Sequence, residues 1–270
     1  MSRLDAELVT RGLVRSRTVA ATLIKAGRVT VSGNPALKAA QTVTADTLLE
    51  LLPGNEEDYV SRAGHKLAGA LAHFPQVTVA GKRCLDAGAS TGGFTDVLLR
   101  QEAASVVAVD VGHGQLVDSL RQDPRVAVHE GLNIRYMSAD DIGGPVDLTV
   151  CDLSFISLTL VMAPLALATK VGGELLLMVK PQFEVGRERL ARTGVVSSEN
   201  ERRRAVALVA QAAVANGLAL QGLGISPLPG QDGNVEYFLL ARRVVSEPAH
   251  KIEEEELAVD TLLAGIWPQR

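Results

Sequence analysis

The chain is 270 residues long, 47% hydrophobic, 3% aromatic and 21% charged, with a net charge of −4. That length can bury one good core and carry a small second domain, and the composition excludes a largely disordered chain. No signal peptide opens it, because Arg3, Asp5, Glu7 and Arg11 break any apolar run, and no stretch nears the roughly 18 uncharged residues of a membrane span, so a cytoplasmic protein is expected.

The first two segments, "LDAELVTRGL" and "SRTVAATLIKAG", place apolar residues at helical spacing, the second opened by Ser16 as an N-cap and closed by Gly27. "RVTVSGNPALKAAQTVTADTLLEL" then alternates as short strands do, with Ser32-Gly33-Asn34-Pro35 as the turn. Within residues 1–40 seven basic side chains face only Asp5 and Glu7, a balance of +5 that leaves −9 for the rest. Arg3, Arg15, Arg17, Lys25 and Arg28 make this the nucleic-acid end of the chain. Charge alone leaves open a helix-turn-helix for duplex DNA and a merely charged surface. Near the C-terminus, "EPAHKIEEEE" reads as a solvated acidic helix start.

After a polar, turn-forming linker around "LPGNEEDYVS", taken as 53–63, strands and helices alternate. Strands are expected at 83–87, 105–110, 125–129, 146–151 and 173–179, with helices after most of them, which defines a doubly wound parallel sheet. Two more, near 218–225 and 235–243, have no helix between them and should close the sheet as an antiparallel hairpin. The expected organisation is a small α+β domain at 1–52, an α/β domain at 64–246 and an acidic helical tail at 247–270. Cys84 and Cys151 fall in apolar strand-like runs without C-x-x-C or histidine at ligand spacing, so reduced core thiols and no metal site are expected.

"RCLDAGASTGGFTDVLL" reads as strand, glycine turn and helix start. Gly88, Gly92 and Gly93 miss the G-x-G-x-x-G spacing of a dinucleotide site, and Asp86 would repel a phosphate brought to the turn. S-adenosylmethionine, cationic and free of phosphate, suits a carboxylate there. The candidate cofactor residues are therefore Asp86, Gly88, Ala89, Ser90, Thr91, Gly92, Gly93 and Phe94. Asp110, 18 positions after Gly92 at the end of the second strand, can accept both ribose hydroxyls of an adenosine, with Val111 beside it. Glu130 and Asn133 are alternatives for the adenine edge, or ordinary loop residues.

The residues after the fourth strand of such a sheet face the methyl acceptor. Enzymes that methylate amino nitrogens of bases carry Asn or Asp there, then Pro-Pro and an aromatic. "VCDLSFISL" keeps Asp152 but puts Leu153-Ser154 where the prolines belong. Lys180 in "LLLMVKPQFE", Glu236 in "GNVEYFLL" and Lys66 in "SRAGHKLAGAL" would singly be surface charges at the ends of apolar segments. In this topology Lys66, Asp152, Lys180 and Glu236 converge at the carboxyl edge of the sheet, as one catalytic set would.

Two resemblances carry these readings further. "RLDAELVTRGLVRSRTVAATLIKAGRVTVSG" resembles the RNA-binding domain named after the S4 ribosomal protein, which implies that Arg3, Arg15, Ser16, Arg17, Lys25 and Arg28 grip structured RNA. Ser32 stands where that family usually has Asn, and Gly33 is expected to supply the positive φ of the turn. "DAGASTGGF", "CDLSFISL" and "VKPQFE" resemble the FtsJ-like RNA 2′-O-methyltransferases and their Lys-Asp-Lys-Glu tetrad. The two domains together resemble the TlyA family, whose members are also labelled haemolysin A.

That resemblance implies a Rossmann-like class I methyltransferase sheet, S-adenosylmethionine as cofactor, and 2′-O-methylation of cytidine in ribosomal RNA. The longer members, which this chain's N-terminus resembles, modify both 16S and 23S RNA. Lys180 would draw the proton from the ribose hydroxyl, a poor acid, helped by burial or by nearby Lys66, while Asp152 and Glu236 orient the amines and Asp152, near the sulfonium, also favours cofactor docking. The implied partners are ribosomal RNA or ribosomal subunits, with no DNA and no membrane, for a monomer or weak oligomer. Two other readings stand beside this one. A catalytically idle RNA-binding or ribosome-assembly protein is opposed by the intact tetrad, and a membrane-lytic protein would need an apolar span or a cationic amphipathic helix.

Overall fold

A computed structural model describes residues 1–14, 16–25, 27–52, 59–186, 188–245 and 252–267, and the chain divides into two units, Met1–Asp58 and Tyr59–Arg270. In the first unit the spacing of Leu4, Leu8, Ala20 and Ile24 produces α1 (Leu4–Thr10) and α2 (Arg17–Lys25), whose apolar stripes share one small core with Val29 and Val43. Ser16 caps α2, its hydroxyl accepting from the Val19 N–H at 3.3 Å. Gly27, at φ 71°, ends it, with the Gly27 and Arg28 N–H groups returning to the Ile24 and Leu23 carbonyls. β1 (Ser2–Arg3) pairs with β4 (Thr42–Val43), and β2 (Val29–Val31) lies between β3 (Asn34–Pro35) and β5 (Leu49–Leu51).

The hairpin departs from the sequence expectation. Asn34 and Pro35 belong to β3, opposite Val31 and Thr30, so the turn is only Ser32 and Gly33. Both have positive φ, 50° and 79°, as a two-residue turn matching the twist of its strands requires, and Gly33 does not supply the conformation alone. Left-handed backbone costs an L-residue about 1–2 kcal/mol, least for Asn and Asp among side-chain-bearing residues. Ser32→Asn should therefore stabilise this hairpin by about 0.5–1 kcal/mol, seen as slower amide exchange in β2 and β5. Exchange that stays the same or quickens would remove the strain argument.

In the second unit α3 (Arg62–His73) begins inside the stretch expected as linker, whose residues 53–58 lie outside the described ones. There follow β6 (Arg83–Ala87), α4 (Gly93–Arg100), β7 (Ser105–Asp110), α5 (Asp118–Arg121), β8 (Val126–Glu130), β9 (Val146–Cys151), α6 (Met162–Ala168) and β10 (Thr169–Val179). The chain continues through α7 (Pro181–Glu184), α8 (Glu199–Ala215), the hairpin β11 (Leu218–Ile225) and β12 (Tyr237–Arg243), and α9 (Ile252–Ala264). β10 begins at Thr169 rather than at 173, with an irregularity before Glu174 where Gly172 takes φ 82°.

The sheet order is β11-β12-β10-β9-β6-β7-β8, with β12 antiparallel to both neighbours and the remaining pairs parallel. β6 therefore lies at the switch point between two halves wound in opposite directions, where ligand crevices open at the carboxyl ends of the strands. The pleat divides the core. Cys84, Val106, Leu148, Leu176 and Phe238 pack with residues of α3 and α4, and Leu85, Val107, Leu175 and Leu239 with residues of α6 and α8.

α9 joins the second of these layers. Val259, Leu263 and Trp267 are buried in it, and the Trp267 ring lies 5.2 Å from that of Tyr237, so the inner part of the expected tail is core. Cys84 and Cys151 are buried free thiols, and burial pushes Cys84 up to about 12 and raises Cys151 too. Among the described residues no helix is long and apolar enough to cross a membrane, and no group of three or more His, Cys, Asp or Glu is placed to hold a metal.

Candidate active site

β6 hands the chain to α4 through a turn shaped against the end of β9. Gly88, at φ 91°, has no room for a side chain, because a Cβ there would sit 2.7 Å from the Asp152 carbonyl oxygen. The Gly88 and Ala89 N–H groups both donate to the Val109 carbonyl, at 2.9 and 3.1 Å, which ties the turn to β7. Asp110 ends that strand. Its Oδ2 accepts from the Ser90 N–H at 2.8 Å and its Oδ1 from the Gly112 N–H at 2.7 Å, and each oxygen retains capacity for a further donor.

A cavity of about 550 Å³ opens at this point, lined by Gly88, Ser90, Asp110, Val111, Gln115, Asn133, Asp152 and Ser154, with apolar walls from Leu132, Ile134 and Ile156. A smaller one of about 160 Å³ shares the walls of Gly88, Ser90, Asp152 and Ser154 and adds Ala89, Thr91, Gly93, Phe94 and Lys180. Of the two alternatives for an adenine edge, Asn133 lines the larger cavity. Glu130 is engaged by Arg121 and by the Gly114 N–H at 2.8 Å, and the Arg121 guanidinium lowers its pKa.

Two residues expected at the cofactor line neither of these cavities. Gly92, at φ 96°, caps α4 and leaves space for Leu120 and Leu116. Asp86 is fully buried, with Oδ2 accepting from Thr95 Oγ1 at 2.7 Å, and it lines neither cavity. The pleat sends it to the α4 side with Cys84. Burial, reinforced by Asp152 and Asp110, pushes its carboxyl up to about 7.

The unfolded chain gives up this proton near pH 4, whereas the folded chain holds it to about pH 7, so stability is lost as pH rises through that window. Asp86→Asn, which cannot ionise, should therefore gain stability relative to wild type between pH 4 and pH 7, measured by urea midpoints. A difference that is flat with pH would mean that the carboxyl titrates normally.

The four catalytic candidates meet at the carboxyl edge as two ion pairs. Lys180 follows β10 and Asp152 follows β9, its parallel neighbour; Glu236 precedes β12, the antiparallel neighbour on the other side. Lys180 Nζ lies 2.6 Å from Asp152 Oδ1 and donates to Ser154 Oγ at 2.9 Å. Lys66, presented by α3, places Nζ 2.5 Å from Glu236 Oε2, with Met178 Sδ at 3.9 Å; Gln182 Nε2 is 3.4 Å from Glu236 Oε1. All but Asp152 are under a tenth exposed. Each lysine is thus held by its own carboxylate.

The loop after Asp152 adds residues that sequence reasoning missed. Ser154 lines both cavities, and Phe155 is 92% exposed at φ 65° with its ring 5.3 Å from that of Phe183. Ser157 Oγ and the Leu158 N–H donate to Glu184, at 2.5 and 2.8 Å, and burial raises the pKa of that carboxyl. Gln115, 3.1 Å from Ser90 Oγ, is a further missed wall of the cavity.

In the first unit, Arg3 and Arg17 both reach Asp5, at 3.0 Å, and keep half or more of their own side chains exposed. The hydrogen bond from Arg3 holds Asp5 well below the usual carboxylate range, with Arg17 adding to it. Lys25 is exposed, Arg28 donates to the Leu52 carbonyl at 3.2 Å, and Arg15 lies outside the described residues. The Ser16 hydroxyl serves the α2 cap.

A doubly wound sheet closed by an antiparallel hairpin, with a glycine turn at its switch point and paired lysines and carboxylates beyond it, defines a Rossmann-like methyltransferase. The FtsJ-like methyltransferase family matches residues 59–243 and the S4 domain family residues 2–49. Over 241 residues the chain is 53% identical to the 16S/23S rRNA (cytidine-2′-O)-methyltransferase TlyA of Mycobacterium tuberculosis, covering 89% of this chain and 90% of that one. It is 37% identical over 184 residues to the 23S rRNA (cytidine-2′-O)-methyltransferase TlyA of Campylobacter jejuni, covering 67% and 70%. A solved structure from Streptococcus thermophilus, named for hemolysin, superposes with TM-score 0.73 at 37% identity and covers 98% of this chain and 94% of its own. The chain belongs to the TlyA family of FtsJ-like methyltransferases that carry an S4 domain.

Proposed function

We propose that the protein transfers a methyl group from S-adenosylmethionine to the 2′-hydroxyl of cytidine in both 16S and 23S ribosomal RNA. It acts in the cytoplasm on ribosomal RNA or subunits, as a monomer or weak oligomer. The observation that carries this reading is the Lys180–Asp152 ion pair, with Asp152 in the wall of a cavity of nucleoside size and Lys180 in the smaller one, and with the Lys66–Glu236 pair on the same sheet edge. The relative named for both RNA molecules is also the more similar of the two described above.

The donor set suits the cofactor. Asp110 offers acceptors to a ribose diol, Val111, Leu132 and Ile134 form an apolar slot for a flat base, and Asp152 presents negative charge to a cation. Bound S-adenosylmethionine supplies an activated methyl group as a sulfonium. Lys180 acts as the base from its neutral form: the ammonium first gives a proton to solvent, and the freed Nζ lone pair then takes the proton of the attacking hydroxyl, with Asp152 and Ser154 fixing its direction. Glu236 holds Lys66 along the same edge, so the ribose meets a preorganised charge pattern. Phe155 offers an exposed ring on which a base can stack, and Arg3 and Arg17 offer guanidinium groups to phosphates.

Small and large ribosomal subunits from cells lacking this protein, incubated with it and labelled cofactor, should gain 2′-O-methylcytidine in both RNA molecules. Label on a base amine, or no label, would overturn the reading, and label in 23S RNA alone would overturn its two-subunit part. Asp110→Ala should weaken cofactor binding by about 1–3 kcal/mol in calorimetry, from lost bonds to ribose and a loosened Ser90 turn. Wild-type affinity would place the adenosine elsewhere.

A further inference from the structure

Two segments carry the chemistry, the loop 152–158 after β9 and the stretch from Lys180 through α7 after β10, and they are joined along their length. At one end Lys180 holds Asp152 and Ser154; in the middle the Phe155 and Phe183 rings meet; at the other end Glu184 Oε2 accepts from Ser157 Oγ and Oε1 from the Leu158 N–H. Among the described residues, two of the three hydrogen bonds joining 153–158 to 180–184 end on Glu184, and the third is Ser154–Lys180. Phe155 sits between these ties with almost no cover and in left-handed backbone, which a bulky residue keeps only where its surroundings hold it.

We propose that Glu184 is a positioning residue for the RNA side of the reaction: by tying Ser157 and Leu158 to α7 it keeps Phe155 presented at the cavity mouth. The proposal rests on the methyltransferase reading above for its RNA part. Glu184 lines neither cavity, so it acts through the loop and not by touching cofactor or substrate. Its two acceptor bonds fall on consecutive residues at the start of the turn 158–160, where a slip of the loop would move Phe155 first.

Three variants of the full chain test this. Glu184→Ala leaves the Leu158 N–H and the Ser157 hydroxyl without their acceptor, whereas Glu184→Gln keeps an acceptor for the first and a donor for the second. Phe155→Ala removes the group through which Glu184 is proposed to act. In protein alone, Glu184→Ala should speed amide exchange at 153–158 and leave β6 and β7 unchanged.

In single-turnover transfer to ribosomal subunits, Glu184→Ala should raise the half-saturating RNA concentration about tenfold or more, with cofactor affinity within about twofold of wild type. Glu184→Gln should recover most of that loss. Glu184→Ala combined with Phe155→Ala should be no worse than Phe155→Ala alone, because the two act through one contact. Unchanged exchange at 153–158, an equal loss of cofactor affinity, or additive effects of the two alanines would each overturn the proposal. If wild-type protein transfers no methyl group, the functional reading falls, and the exchange experiment still decides whether Glu184 holds the loop.

Discussion

Lys180→Arg is expected to lower single-turnover methyl transfer by about 10²–10⁴-fold while fold, cofactor affinity and RNA affinity stay near wild type. Arginine keeps the positive charge and can still meet Asp152, but it does not give up a proton in a protein and so cannot take one from the ribose hydroxyl. The geometry makes the comparison clean, because Lys180 Nζ has two protein partners, Asp152 at 2.6 Å and Ser154 at 2.9 Å, and lines the smaller cavity. Lys66→Arg is the contrasting variant. Lys66 lines neither cavity and its partner is Glu236, so exchanging one cation for another should cost less transfer than at Lys180. Robust turnover by Lys180→Arg would remove the general-base role and leave the methyltransferase assignment standing.

Removing one member of the Lys66–Glu236 pair should give the largest loss of stability, about 3–5 kcal/mol for Lys66→Met. Glu236 is 2% exposed, and its other polar neighbour is Gln182 at 3.4 Å, so loss of the ammonium strands a carboxylate in the interior. Room is also short, since a Cβ on Gly230 would come within 2.6 Å of Glu236 Oε1. Lys66→Met with Glu236→Gln takes both charges away and should recover much of the loss, because the penalty comes from the unpaired charge more than from the missing attraction. Urea midpoints of wild type, both single variants and the double variant complete the cycle. A Lys66→Met cost under about 1 kcal/mol would show that water reaches the pair and that it behaves as a surface contact.

The strands were legible where apolar runs end in turn residues: β6, β7, β9 and β11 lie where 83–87, 105–110, 146–151 and 218–225 predict them. β10 was read short because Gly172 and Gly173 interrupt its first residues, and a glycine inside a strand looks like an ending. Topology placed Lys66, Asp152, Lys180 and Glu236 on one edge, yet which carboxylate each lysine meets depends on side-chain reach, which a sequence does not carry. Asp86 illustrates the same limit. Its type suited a cationic cofactor, but one step of the pleat decides whether it faces a cavity or Thr95.

Ser32 and Phe155 were missed as strained positions for a further reason, since positive φ announces itself in a sequence mainly through glycine or asparagine. The buried half of α9 was hidden by the acidic run before it. Leu257 to Trp267 has helical apolar spacing, but its charge context suggested solvent.

That last helix sets an order on the birth of the chain. The core of the first unit needs nothing beyond Leu49, so the part carrying Arg3 and Arg17 can close while most of the polypeptide is still being made. The second unit cannot. Trp267 and Leu263 complete the layer that α6 and α8 build over Tyr237 and Leu239, so part of that layer stays uncovered until the α9 segment has left the ribosome's exit tunnel. A nascent chain therefore acquires the basic surface of its first unit well before Lys180 and Glu236 exist, and completes its second unit only once α9 has cleared the tunnel.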